Sequence, residues 1–128
     1  MTVAIDKIRV YSDARGAVFE PLAPETLRAQ SNAHVVVTEP GAVRGNHRHR
    51  IGMETVVVYG PALVRIREGR ESKESVVAEG ECVRFTIPPG VSHAFKNIGC
   101  SPNLLVCFNT RAYDPQHSDT ENDVLIED

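Results

Sequence analysis

The stretch Gly41–Gly60, GAVRGNHRHRIGMETVVVYG, decides how this chain is read, and Pro88–Asn97, PPGVSHAFKN, answers it further along. In an extended strand successive side chains point to opposite faces, so His47 and His49 project the same way while Arg48 faces elsewhere. A short turn, Arg50 to Met53, leads to Glu54, which opens the apolar run TVVVY. A hairpin there brings the carboxylate beside two imidazoles, and His93 joins them if its own strand crosses nearby. Three imidazoles and one carboxylate suit a divalent transition metal such as Zn, Mn, Fe, Ni or Co, with one or two positions left for water or substrate.

The sequence around these motifs reads as β throughout. Lys7 to Tyr11 alternates as an edge strand, Ser12 to Gly16 is a turn, and AVFEPL resumes the extended pattern. Pro24 to Gln30 is the only helical candidate and holds two turns at most. From Ala33 onward come short apolar segments parted by turn residues, HVVVTE, ALVRIRE, SVVAEG, ECVRFTI, HAFKNI and NLLVCFN. That spacing, with almost no helix signal, indicates an antiparallel sandwich or barrel. VVVYG and LLVCF are apolar on both faces, which calls for a second covered surface, and a homodimer is the simplest cover.

At 128 residues the chain is one domain. It divides into an N-terminal strand and loop segment (1–33), a core (34–110) and a polar tail (111–128). A net charge of −3 gives no reason to expect nucleic acid or an acidic membrane as partner, so an anionic substrate must be held by local arginines. No apolar run approaches the roughly 20 residues of a membrane helix, and MTVAIDKIRV reads as a strand rather than a signal peptide; a cytoplasmic location is expected. Cys82, Cys100 and Cys107 are odd in number and lack CxxC spacing, so they read as buried or half-buried thiols rather than a disulfide framework or zinc site. His34 and His117 have no ligand-like company and read as surface or interface histidines.

Written as spacing, G-x5-H-x-H-x4-E-x5-G followed by P-x-G-x2-H-x3-N resembles the two motifs of the cupin superfamily, over roughly residues 35 to 110. The resemblance implies a small double-stranded β-barrel of the jelly-roll kind with the site in its mouth. Pro88, Pro89 and Gly90 then build the turn that aims His93 inward. Within the superfamily the chain looks most like the nucleotide-sugar branch. DxRG at Asp13 to Gly16 with R-G-x-H at Arg44 to His47 is similar to deoxysugar 3,5-epimerases. RGxHxH at Arg44 to His49 is similar to the 3,4-ketoisomerases of dTDP-4-keto-6-deoxyglucose. YDPQHSDT at Tyr113 to Thr120, with GNHRH, Glu54 and IPPGVSHAFKN, resembles the C-terminal cupin domain of capsular-polysaccharide enzymes, in which a metal-binding barrel epimerises a keto sugar.

Carried onto this chain, the epimerase resemblance makes His47 the base beside the sugar ketone, with Arg44 and Arg15 contacting phosphate or sugar. The ketoisomerase resemblance adds His49 as a second acid/base group. Asn97, which closes the second motif, is either a rim residue or a further substrate contact. His47, His49, Glu54 and His93 are the metal ligands, and an imidazole on a metal is not a free base, so the two roles compete. The epimerases place a tyrosine donor in the last barrel strand, where this chain has LLVCFN with Cys107 or Phe108 near the expected place. Single-centre epimerisation or ketoisomerisation is therefore favoured. Glu54, which the ketoisomerases lack, favours a metal centre. Two other readings use the same residues: a metal-dependent oxygenase or hydrolase-like cupin, and a non-catalytic cupin that binds a small ligand.

Overall fold

The computed structural model describes residues 2–128. In chain order the strands are β1 (Ala4–Ile8), β2 (Tyr11–Asp13), β3 (Gly16–Val18), β4 (Asn32–Thr38), β5 (Val43–His49), β6 (Glu54–Tyr59), β7 (Ala62–Glu68), β8 (Glu71–Val77), β9 (Cys82–Ile87), β10 (Ser92–Asn97), β11 (Asn103–Asn109) and β12 (Thr120–Asn122). The helix α1 (Pro24–Arg28) lies between β3 and β4, inside the expected stretch. One sheet runs β1-β9-β6-β11-β4 and the other β12-β5-β10-β7-β8, while β2 and β3 form a hairpin of their own. The result is the expected all-β jelly roll, built as two facing sheets rather than one continuous hydrogen-bonded cylinder. No helix among the described residues is long and apolar enough to cross a membrane.

The period-two pattern sets which side chains fill the space between the sheets. From β6, Val56 and Val58 join Val64, Ile66, Phe85, Ile87, Phe95 and Leu105 in the main core. The outward side chains of the same strands are covered too, and the cover comes from this chain. Val57 and Phe108 lie under Leu22, Phe19 and Val10 of the N-terminal segment, and Ala94 lies under Leu125 and Ile126 of the tail. Strands apolar on both faces thus find their second layer without a partner subunit. The homodimer expectation keeps only the outward valines of β4, Val35 and Val37, which are 60% and 55% exposed. The segments 1–33 and 111–128 are also sheet members, since β1 pairs with β9 and β12 with β5.

Two local features set up the site. The turn Arg50 to Met53 does not close a hairpin, because β5 and β6 belong to opposite sheets. TVVVY is apolar on both faces and takes the centre of its sheet between β9 and β11, whereas the polar β5 pairs with β10 and β12. Glu54 therefore meets the histidines across the interior instead of along a ladder. The second feature is a bulge: His47 pairs with His93 but Gly45 with Ala94, leaving Asn46 as the extra residue. Gly45 sits at φ +86°, and a Cβ there would lie 2.8 Å from the His93 carbonyl oxygen, so only glycine lets the strands close up. Asn46 at φ +57° accepts hydrogen bonds from the Leu125 and Ile126 amides at 2.8 and 3.1 Å and donates to the Ile126 carbonyl at 3.0 Å.

If the N-terminal segment carries the outer layer, Leu22→Ala should cost roughly 2–3 kcal/mol, the usual range for emptying a buried leucine site. Denaturant unfolding at unchanged m-value would measure it, and a loss below about 0.5 kcal/mol would show that Leu22 does not hold the layer.

Candidate metal centre and cavity

Strand β5 supplies His47 and His49, the first residue of β6 supplies Glu54, and β10 supplies His93. One ligand atom from each can be chosen so that all four lie within 4.8 Å of one another. The rings of His47 and His93 are 4.8 Å apart, those of His47 and His49 5.2 Å. Glu54 and His93 are almost sealed from solvent, at 6% and 1% exposure. Glu54 Oε2 is 2.8 Å from His49 Nε2, and Oε1 is 3.0 Å from His93 Nε2.

His93 bears on what the centre could hold. Its Nδ1 lies 3.0 Å from the Val91 carbonyl oxygen, which can only accept, so Nδ1 carries the proton and Nε2 of the neutral ring is a lone pair. Nε2 is buried without a hydrogen-bond partner, because the Glu54 oxygen beside it lies out of line. With a proton on that nitrogen the pair attracts and holds Glu54 charged, and with the neutral ring a cation between the two would take the proton's place. The three nitrogens and one carboxylate oxygen fit a divalent transition metal.

The electrostatics agree. Burial, with the neighbouring His93, pushes His47 down from 6.5 to about 4, leaving its ring neutral and available as a ligand at neutral pH. Burial alone would raise Glu54, but His49 and His93 outweigh it and hold the carboxyl well below the usual range. Burial works to lower His49, yet the Glu54 bond and charge, joined by Asp119, leave it raised.

The surroundings fix the ligands. Asp119 accepts the Ile51 and Gly52 amides at 2.9 and 2.8 Å, and its Oδ2 stands 3.9 Å from His49 Nδ1. The Pro88–Pro89–Gly90 turn is tied to the same strand by Gly90 N donating to the His49 carbonyl at 2.7 Å. Beside the centre opens a cavity of about 440 Å3, walled by β4 (Asn32, His34), Asn109 and the tail from Arg111 to Thr120. That volume suits a small-molecule ligand.

Residues 11–121 match the polysaccharide biosynthesis C-terminal domain family. The chain belongs to that family. It is 29% identical, over 93% of its own length and 84% of the relative's, to a protein named a probable low-salt glycan biosynthesis epimerase, Agl13, of Haloferax volcanii. It is 25% identical to the spore coat polysaccharide biosynthesis protein SpsL of Bacillus subtilis, covering 91% of this chain and 84% of SpsL. The fold is shared with QdtA, a sugar 3,4-ketoisomerase from Thermoanaerobacterium thermosaccharolyticum solved in complex with TDP (TM-score 0.71, 17% identity, 94% of this chain and 88% of QdtA). It is shared as well with the capsular polysaccharide assembling protein CapF of Staphylococcus aureus (TM-score 0.69, 23% identity). The match covers 92% of this chain but 34% of CapF, so the chain spans about a third of that protein. These solved structures share their fold with the chain.

Of the residues singled out from sequence, the four ligands come together and the three substrate contacts do not join them. Arg44 is brought into phase by the bulge, yet its guanidinium is exposed and donates to the Val37 carbonyl at 3.2 Å, outside the cavity wall. Arg15 stands on the exposed β2–β3 hairpin and is bound to Asp13. Asn97 is wholly buried, donating to the Thr38 and Ser101 carbonyls and accepting from Gly99 N, which makes it a structural clasp. Arg48 faces away from the ligands, as parity requires, and pairs with Glu121 and Asp123 at 3.3 and 3.4 Å. The guanidinium that does line the cavity is Arg111, and His34 and His117 line it too. Parity could have found His34, since Asn32, His34, Val36 and Thr38 share one face of β4; the tail offers no such period. Cys107 points inward and burial pushes its thiol up to about 12, whereas Phe108 packs on the outer layer. All three cysteines are free, and Cys100 is exposed rather than buried.

Glu54→Gln should weaken metal binding by more than the roughly 10–100-fold that loss of an outer partner costs, while leaving the fold intact; metal content after dialysis and circular dichroism check it. Protons set the second expectation. Between pH 6.5 and about 4 the unfolded chain protonates its His47 and the folded chain does not, so acid destabilises the metal-free fold across that window. His49 is raised, so its contribution is already complete below pH 6.5 and does not offset the loss. The melting temperature of chelator-treated protein should fall from pH 6.5 to 4; a flat profile would show that His47 is not held neutral.

Proposed function

We propose that this protein is an epimerase or ketoisomerase of a nucleotide-linked 4-keto-6-deoxy sugar, acting by proton transfer next to the ketone beside a divalent metal. The observation that carries the reading is the buried His93 Nε2, without a hydrogen-bond partner and set against the carboxylate of Glu54, which with His47 and His49 lines a cavity large enough for part of such a substrate. Family membership and the epimerase name of the Haloferax relative support the reaction class. The TDP bound to QdtA supports the nucleotide.

His47, His49, Glu54 and His93 hold the metal, and Asp119 steadies the turn behind His49. A bound divalent cation would polarise the ketone and favour the enolate. A keto group acidifies the neighbouring carbon, so a positioned acid/base group can remove its proton and return it without any redox partner. As ligands, His47 and His49 are taken out of that role, against the resemblance that made them bases. Arg111 is the cation placed to meet the phosphates. We retain the homodimer in this proposal, with Val35 and Val37 as the face that a second copy would cover.

The experiment is solvent exchange. Metal-replete protein with dTDP- or UDP-4-keto-6-deoxyglucose in D2O should incorporate deuterium next to the carbonyl, observed by NMR, and chelator treatment should slow the incorporation. Oxygen consumption with an iron-loaded sample and no deuterium uptake would instead select the oxygenase reading. Ligand-induced stabilisation with neither reaction would select a binding protein.

A further inference from the structure

We infer that His34 is the acid/base group that moves the substrate proton, a role that rests on the function proposed above. With His47, His49 and His93 committed as ligands, the proton must pass to another group lining the cavity. The titratable side chains there outside the ligand set are His34, Tyr113, Asp114, His117 and Asp119. Asp119 already accepts two backbone amides. Asp114 and His117 are bonded to each other at 2.9 Å out on the tail, and Tyr113, 74% exposed, belongs to no strand that would fix its direction. His34 differs in its placement.

It stands on β4 opposite Cys107 of β11, which in turn stands opposite Val56 of β6. Residues directly opposite in an antiparallel pair share a face, and Val56 and Cys107 belong to the main core. His34 therefore stands on the inward-facing side of β4, where it lines the cavity at its solvent-open end. His34 Nδ1 lies 3.2 Å from Asn32 Oδ1, an oxygen that can only accept, so Nδ1 keeps its hydrogen and the lone pair of the neutral ring is on Nε2. Asn32 thus selects the tautomer whose free nitrogen lies at the far end of the ring.

The step balances within substrate and side chain. The C–H bond next to the ketone breaks, its proton goes to Nε2, and its electron pair forms the enolate double bond as the carbonyl pair moves onto oxygen. The return of a proton from the same ring to carbon regenerates both the ketone and neutral His34. Solvent exchange while the proton rests on the ring carries deuterium into the sugar.

The test compares wild-type protein with His34→Gln, both metal-replete, in the D2O assay with dTDP-4-keto-6-deoxyglucose. Exchange should fall about 10²–10⁴-fold, the usual worth of a positioned acid/base group, while metal content by elemental analysis and TDP affinity by calorimetry stay within about twofold. In His34→Ala, added imidazole should restore part of the rate. Exchange by His34→Gln within about tenfold of wild type would overturn the assignment. So would loss of metal or TDP binding in step with the rate, since that marks a structural role. Wild-type protein that binds metal and TDP yet exchanges nothing would instead remove the parent function, and the role of His34 with it.

Discussion

A carboxylate that has been taken out of water dominates this structure. Glu54 is 6% exposed and well below the usual carboxylate range, so it stays charged where an isolated charge would be very costly. What makes it tolerable is the surrounding cluster of imidazoles, from two strands of the facing sheet. Remove the rings and the charge is uncompensated; remove the carboxylate and three partly desolvated imidazoles face one another. The site is therefore a condition that the two sheets must satisfy jointly, and much of the local backbone serves that condition.

The supporting devices are modest and connected. Gly45 permits the close approach of β5 to His93, and Asn46, displaced by the same bulge, grips the amides of Leu125 and Ile126. Those two residues cover the outward face of β10 at Ala94. One irregularity thus serves the ligand strand on the inside and the tail on the outside. On the other sheet Leu22, Phe19 and Val10 do the covering. Both ends of the chain act as outer layers for a core that 34–110 could not finish alone.

Much of this was legible in the sequence, for identifiable reasons. The convergence of His47, His49, Glu54 and His93 was readable because HxH obeys strand parity and because Glu54 and His93 each stand within a spaced motif. The all-β architecture followed from short apolar segments with turns between them. What escaped was non-local. Whether Arg50 to Met53 folds back or crosses between layers depends on which sheet has room for a doubly apolar strand, and that is settled by β9 and β11. The bulge at Gly45 brings Arg44 into phase with the inner face, yet phase does not say how far a long side chain reaches, and it ends on the edge of β4. Asn97 looked like a motif residue, and its amide is consumed by Thr38, Gly99 and Ser101. The tail residues of the cavity carry no periodicity and are positioned by β12 pairing with β5.

Asp119 carries a consequence for the order in which the molecule comes into being. It anchors Ile51 and Gly52 from a point 67 positions further along the chain, measured from Gly52. During synthesis from the N-terminus, His47, His49, Glu54 and His93 all leave the ribosome before the residue that steadies the turn between the second and third of them. A nascent chain can therefore gather these four side chains before that turn has its anchor, and the centre gains its final stiffness only once Asp119 has emerged.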